Sequence, residues 1–297
     1  MKIGLLGTGR MGTAIGGRLM DSGHTLTAWN RTAEKTGTLV ERGAQAVATP
    51  AEVVAASDVV LSILTDAAAI DAAYGGAGGA LSALVQGKLF IEMSTVRPET
   101  ETALAARIAA LGGAMVECPV GGTVGPAREG KLLGLAGGEP ADIERARPLL
   151  AQLCRRVEHV GPVGSGASMK LAINLPLLVY WQALGEALSL AQQTGMDPAR
   201  LIDIMADTSG APALMKFRGS AVASSLAGVD LGPAHFDIDS IRKDLRTMRD
   251  EAASLGRRLP AASAALESFD AAAAEGMGGR DGAELAAWWL RQVPGTR

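Results

Sequence analysis

Apolar residues in the first half of the chain occur in short runs that alternate with longer, alanine-rich stretches. The length of the short runs predicts buried strands, and the alanine-rich stretches between them predict helices. The predicted strands lie around Leu5 and at residues 59–64, 89–92 and 115–117. Strands that alternate with helices indicate an α/β fold with a doubly wound parallel sheet. The chain leaving Gly7, Ile63 and Met93 should then emerge at one carboxyl edge, where such sheets bind ligands. Leu64 follows Ile63 at that edge and is predicted to contact the ligand bound there.

The second half of the chain has the pattern of helices almost to its end. A long apolar stretch covers residues 167–194, and Asp197-Pro198 and Leu259-Pro260 break the pattern after it. Residues 171–185 carry no charge but are too few to span a membrane. A helix that is apolar on most sides is buried, so this stretch predicts a helix between the domains that also belongs to a subunit interface.

A glycine-rich run at residues 161–166 separates the two patterns. We find no strand pattern in front of it and interpret it as a hinge or a helix entrance. The prediction is a first domain over residues 1–162 and an all-α second domain over residues 163–297. Pro176, inside the long helical stretch, removes one helix hydrogen bond and predicts a kink there.

The first predicted strand leads directly into a glycine motif. Gly7, Gly9 and Gly12 have G-x-G-x-x-G spacing, and Thr8, Arg10 and Met11 lie between them. A helical pattern follows, and then a second strand at residues 24–29. In this context the motif predicts a Rossmann turn that binds a dinucleotide, because the glycines let the backbone approach a pyrophosphate at a helix N-terminus.

The end of the second strand indicates which dinucleotide is bound. Folds that bind NAD place an acidic residue here to hold the ribose hydroxyls. This chain instead has Asn30, Arg31 and Thr32, which offer an amide, a guanidinium and a hydroxyl. A guanidinium can hold a 2′-phosphate through two hydrogen bonds, so the sequence favours NADP(H) over NAD(H). The alternative is that Arg31 is only a solvated turn residue.

Composition narrows the class of protein. The chain has 297 residues, is 48% hydrophobic and carries a formal charge of −3, so it has no electrostatic attraction to nucleic acid. Two cysteines and three histidines show no metal-ligand spacing, so we predict no metal site. The start of the chain is explained by the glycine turn rather than by a signal peptide, and we predict a cytoplasmic protein with no membrane partner.

Lys170 and Asn174 stand out in the long apolar stretch. Their spacing of four places them on one helix face, one turn apart. Burial disfavours the charged form of a lysine, which would let Lys170 exchange a proton near neutral pH. The alternative is an ordinary lysine on the surface of a helix.

Five motifs taken together resemble those of the β-hydroxyacid dehydrogenase family, which includes 3-hydroxyisobutyrate dehydrogenase, tartronate semialdehyde reductase and glyoxylate or succinic semialdehyde reductase. In chain order they are residues 4–12 with Trp29-Asn30-Arg31, Met93-Ser94-Thr95, residues 119–123, residues 164–174, and Lys243-Asp244-Leu245. The resemblance covers nearly the whole chain. It implies hydride transfer between NADP(H) and a small carboxylate-bearing hydroxyacid or aldehyde acid, in a homodimer or homotetramer.

The same resemblance implies roles for individual residues. Lys170 would be the general acid and base, and Asn174 would position the substrate. The segment Gly121, Gly122 and Thr123 would bind the substrate carboxylate. Ser94, Thr95 and Lys243 would lie against the cofactor.

The chain departs from the family pattern near the predicted carboxylate-binding segment. It reads Glu117-Cys118-Pro119-Val120-Gly121-Gly122-Thr123 where the family usually has Asp-Ala-Pro-Val-Ser-Gly-Gly, so a serine expected at the substrate is a glycine.

Two alternatives to this function stay open. Trp29 to Thr32 also resemble imine reductases, although Lys170 favours a carbonyl substrate because an ammonium repels a charged iminium. The second alternative is a non-catalytic NADP-binding protein, which would have no need of Lys170.

Overall fold

The structure is a computed structural model and describes residues 1–292. The chain divides into two compact units, Met1–Leu171 and Ala172–Arg297. The division falls within a long helix, whereas the sequence pattern predicts the boundary before that helix, between residues 162 and 163.

The first unit is built on a nine-stranded sheet. Its strands are β1 (Lys2–Leu6), β2 (Thr25–Trp29), β3 (Gln45–Ala46), β4 (Val59–Ser62), β5 (Leu89–Glu92), β6 (Ala114–Glu117), β7 (Val120–Gly121), β8 (Leu132–Gly137) and β9 (Cys154–Gly161). The spatial order β3-β2-β1-β4-β5-β6 is parallel throughout. This arrangement confirms the predicted α/β fold with its doubly wound sheet. Beyond β6 the sheet is mixed, because β8 runs antiparallel to β6 and β7 and parallel to β9.

Helices connect these strands. They are α1 (Arg10–Asp21), α2 (Gly37–Val40), α3 (Pro50–Ala56), α4 (Ala67–Tyr74), α5 (Pro98–Ala110), α6 (Val124–Arg128) and α7 (Pro140–Leu153), and α8 (Ser165–Ala191) begins in this unit. Neighbouring strand residues pack into two separate apolar clusters. Leu5 and Ile91 belong to the cluster that contains α1 and α7, whereas Leu6 and Phe90 belong to the cluster that contains α3, α4 and α5. This alternation is the period of two expected when both faces of a sheet are covered.

One expectation about this unit is wrong. A strand, β9, directly precedes the glycine-rich run and ends at Gly161. Its residues include Arg155, Arg156, Glu158 and His159, and most are exposed or half-buried, so no apolar pattern marks it. Pairing of its backbone with β8 holds it in the sheet. The interpretation of the run itself as a helix entrance is confirmed, because α8 begins at Ser165.

The described part of the second unit is helical, as predicted. After α8 it contains α9 (Pro198–Ala206), α10 (Met215–Leu226), α11 (Ile238–Ser254), α12 (Pro260–Ala272) and α13 (Leu285–Gln292). The buried carboxylate of Asp281 connects several of these segments. It accepts hydrogen bonds from Arg218 Nη2 (2.5 Å), the backbone N–H of His235 (2.7 Å) and that of Ala283 (3.0 Å).

The helix α8 continues through Pro176 as a single helix. With the short turn after it, residues 165–194 are long and apolar enough to cross a membrane by length and composition, and in the most apolar window 44% of residues are buried inside the protein. Core helices meet the same criterion, so the helix is weak evidence for a membrane.

Candidate functional site

The turn between β1 and α1 has the geometry that the glycine spacing predicts. Gly7 has φ of 97°, in the left-handed region that favours glycine, and its N–H donates to the carbonyl of Trp29 (2.9 Å). A Cβ on Gly12 would overlap the carbonyl oxygen of Gly7. The close approach of α1 to the turn therefore requires glycine at both positions.

Two features of this turn fit a phosphate-bearing cofactor. A Cβ on Gly9 would have no protein atom within 4 Å, so packing does not demand this glycine. Beside it, the buried Thr8 Oγ1 has no hydrogen-bond partner among the described residues. The motif therefore leaves open space and an unused hydroxyl at the N-terminus of α1, where backbone N–H groups favour an anion.

The end of β2 is tied to the same turn through Asn30. Its Oδ1 accepts the Thr8 N–H (3.0 Å), and its Nδ2 donates to the carbonyl of Thr32 (2.9 Å). Arg10, Arg31 and Thr32 are exposed there. The structure thus brings the predicted phosphate turn and the predicted ribose-phosphate segment together, with cationic side chains at their surface.

The ends of β4 and β5 join the same sheet edge. The Leu64 N–H donates to Ser94 Oγ (2.7 Å), while Ser94 Oγ donates to Glu92 Oε1 and the Ser94 N–H donates to Glu92 Oε2 (2.8 Å). Ser94 is 1% exposed, whereas Leu64 and Thr95 are half-buried. The Ser94 hydroxyl is therefore committed inside the protein, and any contact of Ser94 with a cofactor would use its backbone.

A pair of buried carboxyl groups lies behind this edge. Burial raises the pKa of Glu92, and burial together with the charge of Glu92 raises the pKa of Glu101 well above its usual range. Both oxygens of Glu101 lack a donor among the described residues. A proton on Glu101 that is donated to Glu92 joins the two groups by a hydrogen bond, since two adjacent carboxylates cannot both ionise in a buried site. Ser62 Oγ also donates to Glu92 (3.3 Å). These contacts fix the position of Ser94.

The predicted carboxylate-binding segment forms the turn from β7 into α6. Gly121 pairs with Leu133 across the sheet, Gly122 has φ of 129°, and Thr123 is the N-cap residue of α6. Gly122 is exposed, and its two neighbours are half-buried. A Cβ on Gly121 would make only ordinary contacts, the nearest at 3.6 Å from Leu133 Cβ. Neither packing nor backbone conformation therefore requires glycine at position 121.

Lys170 lies in the second turn of α8 and is 8% exposed. Lys170 is therefore buried, and the alternative of an exposed surface lysine is wrong. The start of its helix is held by Glu117, the last residue of β6, whose carboxylate accepts N–H groups from Gly164, Gly166 and Ala167.

In the second unit, Asn174 and Lys243 share one buried partner, Asp244. Lys243 Nζ lies 2.5 Å from Asp244 Oδ1, and Asn174 Nδ2 donates to Asp244 Oδ2 (3.4 Å). Asp244 is 4% exposed. Its carboxylate therefore fixes the orientation of two predicted site residues, and it acts on each through a different oxygen.

Comparison with known proteins places the chain in a family. Residues 2–161 match the family model described as the NAD binding domain of 6-phosphogluconate dehydrogenase. Residues 164–289 match the model described as NAD-binding of NADP-dependent 3-hydroxyisobutyrate dehydrogenase. Glyoxylate/succinic semialdehyde reductase 1 of Arabidopsis thaliana is 35% identical over 284 residues, which make up 95% of this chain and 96% of that protein. The chain belongs to the β-hydroxyacid dehydrogenase family.

Solved structures share the fold of this chain. Psf3 in complex with NADP⁺ and 2-OPP has a TM-score of 0.86 and 26% identity, covering 96% of this chain and 99% of that one. A 3-hydroxyisobutyrate dehydrogenase from Salmonella typhimurium has a TM-score of 0.85 at 24% identity, with coverage of 96% and 99%. An imine reductase from Streptomyces aurantiacus shares the fold with a TM-score of 0.61 at 24% identity, with coverage of 99% and 100%.

Membership of the β-hydroxyacid dehydrogenase family makes this chain an oxidoreductase with a nicotinamide cofactor, which confirms the resemblance found in the sequence. The roles of the individual site residues stay predictions. The sequence alone did not identify Glu92, Glu101, Glu117 and Asp244 as the buried carboxyl groups around the predicted site residues. Glu117 and Asp244 do lie inside quoted segments, and for Glu117 the signal that could have marked it is an acidic residue in an otherwise apolar and glycine-rich segment.

Proposed function

We propose that this β-hydroxyacid dehydrogenase transfers a hydride between NADP(H) and a small aldehyde acid of the glyoxylate or semialdehyde type, with Lys170 as the general acid and base. The observation that carries the proposal is a buried lysine on α8, a helix whose start is held by buried hydrogen bonds. Lysine is one of the residue types that can act as a general acid and base. Oxidation of NADPH on addition of glyoxylate or succinic semialdehyde tests it.

The cofactor and each proposed site residue have separate roles in the reaction. When bound, the reduced cofactor supplies the hydride. Lys170 gives a proton to the oxygen of the aldehyde as that oxygen becomes an alkoxide, and in the reverse direction its neutral amine takes the proton back. Asn174, oriented by Asp244, positions the reacting oxygen.

The carboxylate of the substrate is the group that the first unit can recognise. Backbone N–H groups around Gly121 and Gly122 and the hydroxyl of Thr123 are donors in the turn that leads into α6, and donors of this kind can hold a carboxylate. The missing side chain at position 121 leaves room there. We propose that this turn binds the substrate carboxylate.

NADP(H) is proposed as the cofactor because of the end of β2. Arg31 is exposed beside the glycine turn, and Asn30 holds the segment in place through Thr8. The guanidinium of Arg31 is suited to a 2′-phosphate, which an acidic residue at this position would repel. The similar protein Psf3, whose structure contains NADP⁺, supports the same choice.

Changing Arg31 to aspartate should reverse the cofactor preference. Loss of a charge-assisted hydrogen bond to the 2′-phosphate should weaken NADPH binding by about 1.5–3 kcal/mol, or about 10- to 150-fold in Kd. NADH binding should hold or improve, because an acidic residue accepts hydrogen bonds from ribose hydroxyls. Titration of the purified variant with each cofactor measures both effects. Arg155→Asp, an exposed change on β9, is the matched control. Equal loss of both cofactors in Arg31→Asp would contradict this role.

We also propose that the protein acts as a homodimer or homotetramer in the cytoplasm. Leu190, Ile204 and Phe217, on three successive helices of the second unit, are 87%, 46% and 80% exposed. Apolar side chains of this size exposed on neighbouring helices are typical of an interface between subunits.

Imine reduction is the competing activity. The shared fold with imine reductases supports it, and the buried Lys170 argues against it, because an ammonium would repel an iminium substrate. A non-catalytic NADP-binding protein would bind NADPH tightly and turn over no carbonyl compound.

A further inference from the structure

Glu117 is a buried acidic residue for which the proposed reaction has no direct use. It ends β6, is 0% exposed and faces the start of α8. Its Oε1 accepts the N–H groups of Gly164 (2.5 Å) and Gly166 (2.8 Å), and its Oε2 accepts the N–H of Ala167 (3.1 Å). One carboxylate thus satisfies three N–H groups that the beginning of a helix leaves without partners.

The surrounding chain leaves room for this carboxylate. A Cβ on Gly137, at the end of β8, would overlap Glu117 Oε1. A Cβ on Gly166 would overlap the carbonyl oxygen of Leu135 and would lie 3.1 Å from Glu117 Cδ. Two glycines from separate elements are therefore needed where the carboxylate meets the helix, which indicates a defined geometry rather than a chance contact.

The anchored residues lie next to Lys170. Gly166 and Lys170 are four residues apart on α8, one helical turn, and the helix is continuous between them. A displacement of the first turn is carried to Lys170 by the helix hydrogen bonds. Since a misplacement of about 1 Å can cost about 100-fold in rate, the anchor matters to the chemistry without touching substrate.

We propose that Glu117 is a positioning residue, whose carboxylate fixes the first turn of α8 and thereby the position of Lys170. The inference rests on the proposed function of Lys170. The anchoring of α8 requires the ionised carboxylate of Glu117, because a proton on the carboxyl group would point a donor at N–H groups that need acceptors.

The environment of Glu117 makes this anchor sensitive to pH near neutrality. Burial raises its pKa to about 7, against the effect of the three N–H groups that favour the charge, and the charge of Glu92 adds to the rise. The titratable groups facing it are Glu92 on β5 and Glu101 on α5, and Cys118 follows it in the chain. Below about pH 7, protonation should loosen the start of α8 and lower kcat.

Stability should change in the opposite direction. Because the pKa of Glu117 is higher in the folded state than its value of 4.5 in the unfolded chain, its stabilising contribution is full below pH 4.5 and is lost as the pH rises through about 7. Acidification from pH 8 to pH 6 should therefore lower kcat without destabilising the fold through this group.

Glu117→Gln tests the proposal, with Glu144→Gln, on the exposed face of α7, as its matched control. Glutamine keeps the shape but turns an amide N–H toward the Ala167 N–H. We expect kcat at pH 8 to fall about 10- to 100-fold while KM and the Kd of NADPH stay within about twofold. The fall of kcat between pH 8 and pH 6, present in the wild type, should disappear in Glu117→Gln.

Glu117→Asp, which keeps the charge, should restore part of kcat and the pH dependence. A variant with the kcat and pH profile of the wild type would overturn the proposal.

Hydrogen exchange of the wild-type protein gives a second, independent measurement. After correction for the chemical exchange rate, the N–H groups of Gly166 and Ala167 should be more protected at pH 8 than at pH 6. Equal protection would also overturn the proposal. This result needs neither turnover nor a folded variant, so a failure of the proposed reaction is distinguished from a failure of the anchor.

Discussion

Replacing Lys170 with alanine should reduce kcat for the aldehyde acid about 10²- to 10⁴-fold, the usual contribution of a general acid. The developing alkoxide would lose its proton donor, and the remaining hydrogen-bond donors cannot replace it. The Kd of NADPH should change less than about threefold, because the turn that fits the cofactor lies at the start of α1, in contacts that do not use Lys170. Steady-state kinetics and a fluorescence titration with NADPH measure the two quantities.

A suitable control removes a lysine elsewhere in the same unit. Lys2 is exposed at the start of β1, the end of that strand opposite the glycine turn. Lys2→Ala should therefore keep kcat within about twofold, as surface substitutions generally do. Near-normal turnover in Lys170→Ala would remove Lys170 from the mechanism. Loss of NADPH binding in the same variant would mean that Lys170 has a structural role instead.

Two neighbouring glycines should respond to the same substitution in different ways. A Cβ on Gly9 has open space around it, so Gly9→Ala should fold with the thermal stability of the wild type. A methyl group placed where a pyrophosphate must approach costs about 1–3 kcal/mol, the cost of overpacking. That corresponds to NADPH binding weakened about 5- to 150-fold.

Gly12→Ala should instead damage the fold. Its Cβ would overlap the carbonyl oxygen of Gly7, a backbone atom that cannot move without the turn. We expect a loss of about 1–3 kcal/mol in the free energy of unfolding, or about 2–4 °C in Tm for each kcal/mol. Thermal unfolding without cofactor, followed by NADPH titration, separates the two variants. If Gly9→Ala bound NADPH like the wild type, the turn would not be the phosphate site.

The parallel part of the fold could be predicted because its signals are local. Short apolar runs such as Leu89, Phe90 and Ile91 are buried on both faces of the sheet, and the glycine spacing fixes the turn after β1. The strand β9 could not be predicted, since its charged residues are largely exposed and pairing with β8 holds it in place. Backbone pairing between distant segments leaves little trace in the side-chain pattern.

The candidate site could be predicted only where a residue's role follows from its neighbours in sequence. Gly7, Asn30 and Lys170 lie in motifs whose spacing carries meaning. The partners of Glu117 are 47 to 50 residues further along the chain, and Asn174 is 70 residues from Asp244. Such pairs become visible only in the folded chain. Ser94 likewise donates its hydroxyl to Glu92, a contact that its position in the motif does not reveal.

The rate of NADPH oxidation by the purified wild-type protein at neutral pH tests the proposed reaction itself, when it is measured in parallel with glyoxylate, succinic semialdehyde and a cyclic imine. We expect turnover of at least one aldehyde acid and little or none of the imine, with NADPH used in preference to NADH. Turnover of the imine alone would contradict the role of Lys170 as the proton donor to a carbonyl oxygen.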